Sequence, residues 1–254
     1  MAYQFDLDAG RVCLDLVNTH SRRTGDHLAS YADLIALAHQ SALITPTDAK
    51  RLLRLAAQDP VQAQGVLTRA YRLRDALSRI FSAIAGRRAP ASADLDVLNS
   101  DLAATMPQAR VVPAAADGQQ FTWGWVGGSA RVLEAPLWPI VRSAADLLTA
   151  PDDLARVRLC GAPLCAWLFL DTSKNRSRQW CSMQSCGNRE KARRHYQRLR
   201  ASGGEARPRA RARRTGAAPA GGASATAGSP GGGATRSAPA APRPARAGRR
   251  PRGR

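Results

Sequence analysis

Four of the five cysteines stand in two pairs of equal spacing. Cys160 and Cys165 enclose four residues, Cys181 and Cys186 enclose four more, and fifteen lie between the pairs. Two short-spaced pairs separated by roughly 15–20 residues are the sequence form of a four-thiolate metal site. Each pair sits on a turn that aims two sulfurs at one point, and the intervening segment brings the turns together. Four thiolates complete a tetrahedron around one zinc ion at about 2.3 Å and leave no position open, so a structural ion is expected. In so small a module the ion would supply most of the stability, on the order of 10–16 kcal/mol in finger peptides. Two other readings compete: a pair of disulfides, and unrelated buried thiols. The N-terminal MAYQFDLDAG has neither the basic nor the apolar region of a secretory leader, which disfavours disulfides and points to a cytoplasmic chain. Equal spacing disfavours the second alternative. Cys13, inside Val12-Cys13-Leu14, reads as a core residue, and His20, His27, His39 and His195 have no ligand spacing among themselves.

The residues around the pairs continue the pattern. Residues 167–171 read as a strand, 172–175 as a turn and 176–180 as a return strand. Residues 187–200 read as a helix with Cys186 at its N-terminus, where the helix dipole favours a thiolate. Knuckle, hairpin, second pair and helix is the order of a treble-clef finger.

Charge divides the chain. The formal net charge of +19 arises from 38 basic and 19 acidic residues, of which residues 1–150 hold 15 and 14. Residues 151–200 hold 11 and 4, and residues 201–254 hold 12 and 1. A nearly neutral body is thus followed by a basic end suited to a polyanion. In the last 54 residues, 46 are Ala, Gly, Arg or Pro and none is aromatic or branched aliphatic, so this tail has nothing to pack and is expected to be disordered. Its arginines read as a solvated, GC-biased composition ahead of a phosphate-binding arm. No stretch approaches the roughly 20 apolar residues of a membrane span.

The body reads as helices followed by short strands. Ser30-Tyr31-Ala32-Asp33 has capping-box spacing, with Asp in place of Glu or Gln, and Thr45-Pro46 is a cap followed by an N1 proline. Asp59-Pro60 opens the strongest helix, in which Val66, Leu67, Ala70, Leu73, Leu77, Ile80, Phe81 and Ile84 keep one face and Gly86 marks the end. A further helix begins at Ser92. Residues 111–112, 121–126 and 132–133 are β-prone runs divided by Asp117-Gly118 and Gly127-Gly128, which predicts a small antiparallel sheet. A last amphipathic helix covers about 139–148. The expected fold is therefore α+β: a mostly helical N-terminal domain with a small antiparallel sheet (1–155), a treble-clef-like four-cysteine zinc finger (156–200) and a disordered basic tail (201–254).

The segment from Cys160 through Cys165-Ala-Trp-Leu-Phe-Leu-Asp-Thr-Ser-Lys-Asn-Arg-Ser-Arg-Gln-Trp-Cys181 to Cys186-Gly-Asn-Arg-Glu-Lys-Ala-Arg-Arg resembles the CGNR zinc finger of bacteria. Upstream, LDLVNT at 14–19, YADL at 31–34, LRDAL at 73–77 and PLWPIVRSAADLL at 136–148 resemble the ABATE domain that precedes this finger in bacterial stress-induced transcription regulators. The resemblance covers about residues 10–200. It implies an N-terminal domain that senses an unknown ligand and a finger that binds double-stranded DNA.

Charges on the finger suit that role. Arg189, Arg193, Tyr196 and Arg200 share a helix face, broadened by Lys191, Arg194 and Arg198. Arg176 and Arg178, two apart on the expected strand, would point the same way. Such cations neutralise phosphates, and Arg189 or Arg193 can pair with a guanine edge. Asn188 stands with them as a nucleic-acid candidate, against the bland reading that Gly187-Asn188 serves the turn. Arg178 and Arg189 have a bland reading too, as fold partners of Asp171 or Glu190, and the whole face can be solvated without a partner. The alternative function is a zinc-stabilised RNA- or protein-interaction module without sequence-specific DNA binding. No phosphate loop, nucleophile elbow or open metal site points to an enzyme; Asp6, Asp8 and Asp15 form an acidic patch without a partner constellation. A small-molecule pocket is expected between the Asn18 region, the long helix and Trp138. Arg74 and Arg142, on apolar helices, are candidates for an internal ion pair ahead of an anion site. No heptad run marks a dimer seam.

Overall fold

The helical period of the segment after Asp59 produces one long helix, α4 (Pro60–Ala85), and the body is arranged around it. The computed structural model describes residues 3–21, 24–114, 119–126 and 131–201. Before α4 come α1 (Val12–Val17), the short hairpin β1 (His20–Ser21) and β2 (Gly25–Asp26), α2 (Tyr31–Gln40) and α3 (Pro46–Gln58); after it comes α5 (Ser92–Thr105). Then follow β3 (Ala109–Pro113), β4 (Phe121–Trp125), α6 (Leu137–Leu148) and the one-turn α7 (Pro151–Leu154). The last elements are β5 (Val157–Leu159), β6 (Leu168–Leu170) and α8 (Asn188–Ala201). No described helix is long and apolar enough to cross a membrane. The chain divides into two units, Met1–Glu205 and Ala206–Arg254; the second lies outside the described residues, and so does nearly all of the expected disordered tail.

Helix starts follow the capping signals. Ser30 Oγ accepts from the Asp33 N–H at 3.3 Å while Asp33 Oδ2 accepts from the Ser30 N–H at 2.9 Å, so aspartate closes the box. Thr45 and Asp48 do the same ahead of Pro46, and Asp59 Oδ1 accepts from the Gln62 N–H at 2.8 Å. At the far end of α4 the left-handed residue is Arg87 (φ 56°) and not Gly86 (φ −84°). The glycine marks the stop, and the reversal falls one residue later, where the Arg88 N–H reaches back to the Ala83 carbonyl at 2.8 Å.

The core forms where apolar faces meet on α4. Leu67, Leu73, Leu77, Ile80 and Phe81 are buried against Leu14 and Leu16 of α1, Leu34 and Leu37 of α2, and Ile140, Val141 and Ala144 of α6. Each of these side chains larger than alanine contributes about 1.5–3 kcal/mol on burial. Cys13 lies in this core, and burial pushes its thiol up to about 12. The expected sheet is a two-stranded antiparallel ribbon, β3–β4, with Val111 opposite Trp123. Residues 132–133 are not a third strand: they form a turn that buries Leu133 and presents its carbonyl to the Tyr31 hydroxyl at 2.9 Å. The expected turns at Asp117-Gly118 and Gly127-Gly128 lie outside the described residues.

Both arginines of the apolar helices are in ion pairs. Arg74, 6% exposed, holds Asp26 through two 2.7 Å bonds and reaches Thr19 Oγ1 at 3.2 Å. Arg142 pairs with Asp146 at 3.1 Å and lies 3.5 Å above the Trp123 ring, which fixes the ribbon on α6.

The strand that leads out of the body is shared by two cores. β6 pairs antiparallel with β5, with Val157 opposite Leu170 and Leu159 opposite Leu168. Leu168 and Leu170 join the body core, while Phe169, pointing the other way, joins the cysteines. Gly10 (φ 82°) permits this contact, since a Cβ there would stand 3.3 Å from that of Leu170.

Candidate metal centre and basic helix

Two turns and a helix start converge the four cysteines. The β5–β6 hairpin carries the first pair in its connection: the Cys160 N–H donates to the Trp167 carbonyl at 2.8 Å and the Cys165 N–H to Ala162 at 3.0 Å. Ala166 takes the left-handed conformation (φ 57°) and returns the chain to β6. In the second pair, Cys181 precedes and Cys186 lies within a single π-type turn, Met183–Gly187, whose closing bond runs from the Gly187 N–H to the Ser182 carbonyl at 3.0 Å. A Cβ at Gly187 would fall 2.4 Å from Met183 Sδ, so a side chain there would require the exposed Met183 side chain to swing away. α8 starts at the next residue.

The four sulfurs lie within 4.8 Å of one another and all four residues are buried. Cys181 Sγ is 3.6 Å from both Cys165 Sγ and Cys186 Sγ, and the Cys181 N–H points at Cys160 Sγ at 3.4 Å. All are free thiols, so the two-disulfide alternative is not what the chain adopts. A tetrahedron with 2.3 Å metal–sulfur bonds has edges of about 3.8 Å, close to the spacing found, and four soft sulfur donors suit a thiophilic divalent ion. Hydrogen bonds from Cys165 and Cys181 drive the Cys160 thiol down, and donating those same bonds pushes the Cys165 and Cys181 thiols up. Ala162, Phe169, Trp167 and Trp180 wall the sulfurs from water.

The return strand expected at 176–180 is absent. Those residues form a loop because Asp171 gathers it: its carboxylate accepts from the Ser173 N–H and hydroxyl at 3.0 and 2.6 Å and from the Arg178 N–H at 3.0 Å. Burial opposes the Asp171 charge, but these donors outweigh it and hold the carboxyl below its ordinary range. Arg176 turns through φ 50°. The strand that pairs with β6 is instead β5, a short run ahead of Cys160 that carries no turn signal of its own.

Residues 10–151 match the family model described as "Putative stress-induced transcription regulator" (ABATE). The chain belongs to the ABATE family. Residues 156–199 match the CGNR zinc finger. A comparison with curated proteins gave no match.

The candidate nucleic-acid residues of the CGNR finger divide by what they touch. Arg189 and Lys191 are exposed on the first turn of α8, and Arg176 is exposed on the loop. Arg193 is held by Glu190 through Nε at 2.9 Å and Nη2 at 2.8 Å. Arg194 bonds the Glu190 carbonyl at 3.4 Å and lies 5.6 Å from the Trp180 ring centre. Arg198 bonds the Arg194 carbonyl at 3.4 Å, and Asn188 Nδ2 donates to the Gln184 carbonyl at 3.2 Å, inside the π-type turn.

Arg178 does not point outward with Arg176. Its side chain folds back over the Phe169 ring at 4.6 Å and donates to the carbonyls of Trp180 (3.0 Å), Cys181 and Asp8 (3.3 Å). With no strand there, the alternation that would align the two arginines does not apply. Asn18, expected beside a ligand pocket, also serves the fold, since its amide bonds both backbone groups of Leu168. Sequence reasoning missed Arg158 of β5, which faces the α8 side of the finger; the alternation of Val157, Arg158 and Leu159 just before Cys160 was the available signal.

Proposed function

We propose that this ABATE–CGNR chain is a cytoplasmic, zinc-dependent transcription regulator that binds double-stranded DNA through its finger. One structural zinc ion held by Cys160, Cys165, Cys181 and Cys186 would fix the start of α8; four sulfur donors with no open position favour zinc over an oxygen-seeking cation. The ion's part is to hold these turns together. The chain's residues would do the recognition.

The carrying observation is the placement of cations immediately after the metal centre. Arg189 and Lys191 stand exposed on the first turn of a helix anchored by Cys186, and Arg194 and Arg198 follow on later turns. Such an element can neutralise several phosphates and offer Arg189 to a base edge. The body, through its clamp on β6, is suited to couple a bound ligand to the finger; this reading gives the chain a binding role and no catalytic one.

The test is selection of genomic duplex fragments by the zinc-loaded full chain at near-physiological salt, with Cys186→Ser as the control. The control retains every tail arginine, so binding due to the tail alone is subtracted. Recurrent enrichment of a short sequence by the wild type only is expected. Equal, sequence-independent recovery by both proteins would reject DNA recognition by the finger and favour an RNA- or protein-docking module.

A further inference from the structure

Beside the metal centre runs a groove of about 660 Å³ between β5, the 171–180 loop and α8. Arginines from all three elements line it: Arg158 from β5, Arg176 and Arg178 from the loop, and Arg193 and Arg194 from α8. Trp180 contributes an aromatic wall. Among the described residues, the only carboxylate in the lining is that of Glu190, which is 7% exposed and already paired with Arg193.

Five arginines of the body are treated differently, although others there, such as Arg110, also hold only backbone carbonyls. Arg11, Arg69, Arg74, Arg79 and Arg142 are each neutralised by an aspartate. In the groove, Arg158, Arg176, Arg178 and Arg194 form no ion pair among the described residues, and Arg158 meets the buried Asp171 carboxylate only through a longer-range attraction. Three of them are instead anchored by backbone carbonyls: Arg158 by Ala155 at 3.0 Å, Arg178 by Trp180 at 3.0 Å and Arg194 by Glu190 at 3.4 Å. A carbonyl holds a guanidinium in place without cancelling its charge. Positioned, uncompensated guanidiniums are what an oxyanion requires, since little side-chain order remains to be lost on binding.

We infer that this groove is a phosphate site, holding the oxyanions of a nucleic-acid backbone or of a free phosphorylated ligand. In its nucleic-acid form the inference rests on the DNA-binding reading above and extends it from the outer face of α8 to β5. The free-ligand form is independent of that reading.

The experiment uses the metal-loaded full chain and two probes, a labelled duplex titrated across a range of salt and inorganic pyrophosphate followed by calorimetry. The variant Arg158→Gln/Arg176→Gln removes two groove charges; Arg189→Ala/Lys191→Ala removes two that do not line it. Arg176→Gln alone guards against a folding defect, because no side-chain partner is lost at that exposed position. For a backbone site, the groove variant binds duplex at least tenfold more weakly with a salt slope lower by about two. For a free-ligand site, pyrophosphate binds the wild type and not the groove variant, while duplex binding is unchanged. If the groove variants bind both probes like the wild type and only the outer variant loses duplex, the groove inference is overturned and the DNA reading stands. If the wild type binds pyrophosphate but no duplex, the DNA reading fails and the groove stands. Binding of neither probe by the wild type rejects both.

Discussion

Asn18 and Leu168, 150 residues apart, are joined by both ends of one amide. Asn18 Nδ2 donates to the Leu168 carbonyl at 2.8 Å, and Asn18 Oδ1 accepts from the Leu168 N–H at 2.9 Å. Asn18 closes α1 of the body and Leu168 opens the strand that leads from the first cysteine pair. A side chain thus completes β6 as a neighbouring strand would. Asn18→Ala would leave a buried donor and a buried acceptor unpaired, each worth about 1–3 kcal/mol. A loss of about 2–4 kcal/mol in urea unfolding is expected, with α-helical content unchanged before the transition. A shift below about 0.5 kcal/mol would mean that water replaces the amide and that the clamp is dispensable.

Metal removal should separate the two cores. Leu168 and Leu170 belong to the body cluster, whereas Phe169, Trp167 and Trp180 pack on the cysteines. A chelator, or Cys186→Ser, is expected to abolish metal content and to shift the fluorescence of the two tryptophans toward that of exposed indole. Most helical circular dichroism should remain, because α1 to α6 draw nothing from the sulfurs. Loss of the whole helical signal would show that the finger is integral to the body's stability, and retention of the metal by Cys186→Ser would remove that residue from the ligand set.

The parts legible in sequence are those governed by local chemistry. The Ser30 capping box, the Thr45 cap with its N1 proline, the long period of α4 and the paired cysteines each depend on residues a few positions apart, and each forms as its pattern demands. The misreadings lie where a distant partner decides. The segment 176–180 has strand-like composition, but Asp171 takes the Arg178 N–H and the Ser173 side chain and carbonyl take those of Ser177 and Arg176, which makes a loop, and β6 finds β5 upstream instead. Asn18 offered no sign of its partner, since nothing local distinguishes an amide that binds a ligand from one that binds a strand. Arg178 looked like a surface cation because its acceptors, the carbonyls of Asp8, Trp180 and Cys181, are backbone atoms that carry no sequence signature.

Asp15 gives the body a pH dependence of unusual sign. It is 8% exposed on α1, and burial, with the nearby charge of Asp8, pushes its carboxyl up to about 6 against one hydrogen bond from the Ala9 N–H at 3.2 Å. A carboxyl raised on folding favours the folded state when protonated, and this contribution is lost as pH rises from about 4 through 6. The full effect is on the order of 3 kcal/mol. Asp15→Asn keeps an oxygen for the Ala9 N–H and removes the charge. It should raise the melting temperature at pH 7.5 and match the wild type near pH 4. Equal melting temperatures at both pH values would mean that the carboxylate is hydrated in the folded state.

Arg189 and Arg193 separate recognition from support on one helix. Arg193 is bound to Glu190, a nearly buried carboxylate on the first turn of α8, through two nitrogens. Arg189 is exposed with no side-chain partner among the described residues. Arg193→Ala would strand the Glu190 charge in a poorly hydrated position and should destabilise the finger by about 1–3 kcal/mol. Because the helix that carries the other cations is then weakened, its effect on duplex binding should be partly restored by Glu190→Gln in the same chain. Arg189→Ala should leave the melting temperature within a degree of the wild type, lower duplex affinity, and reduce the salt slope by about one. The double variant Arg193→Ala/Glu190→Gln decides the matter: if duplex affinity does not recover, Arg193 contacts DNA itself and its bond to Glu190 is a resting position.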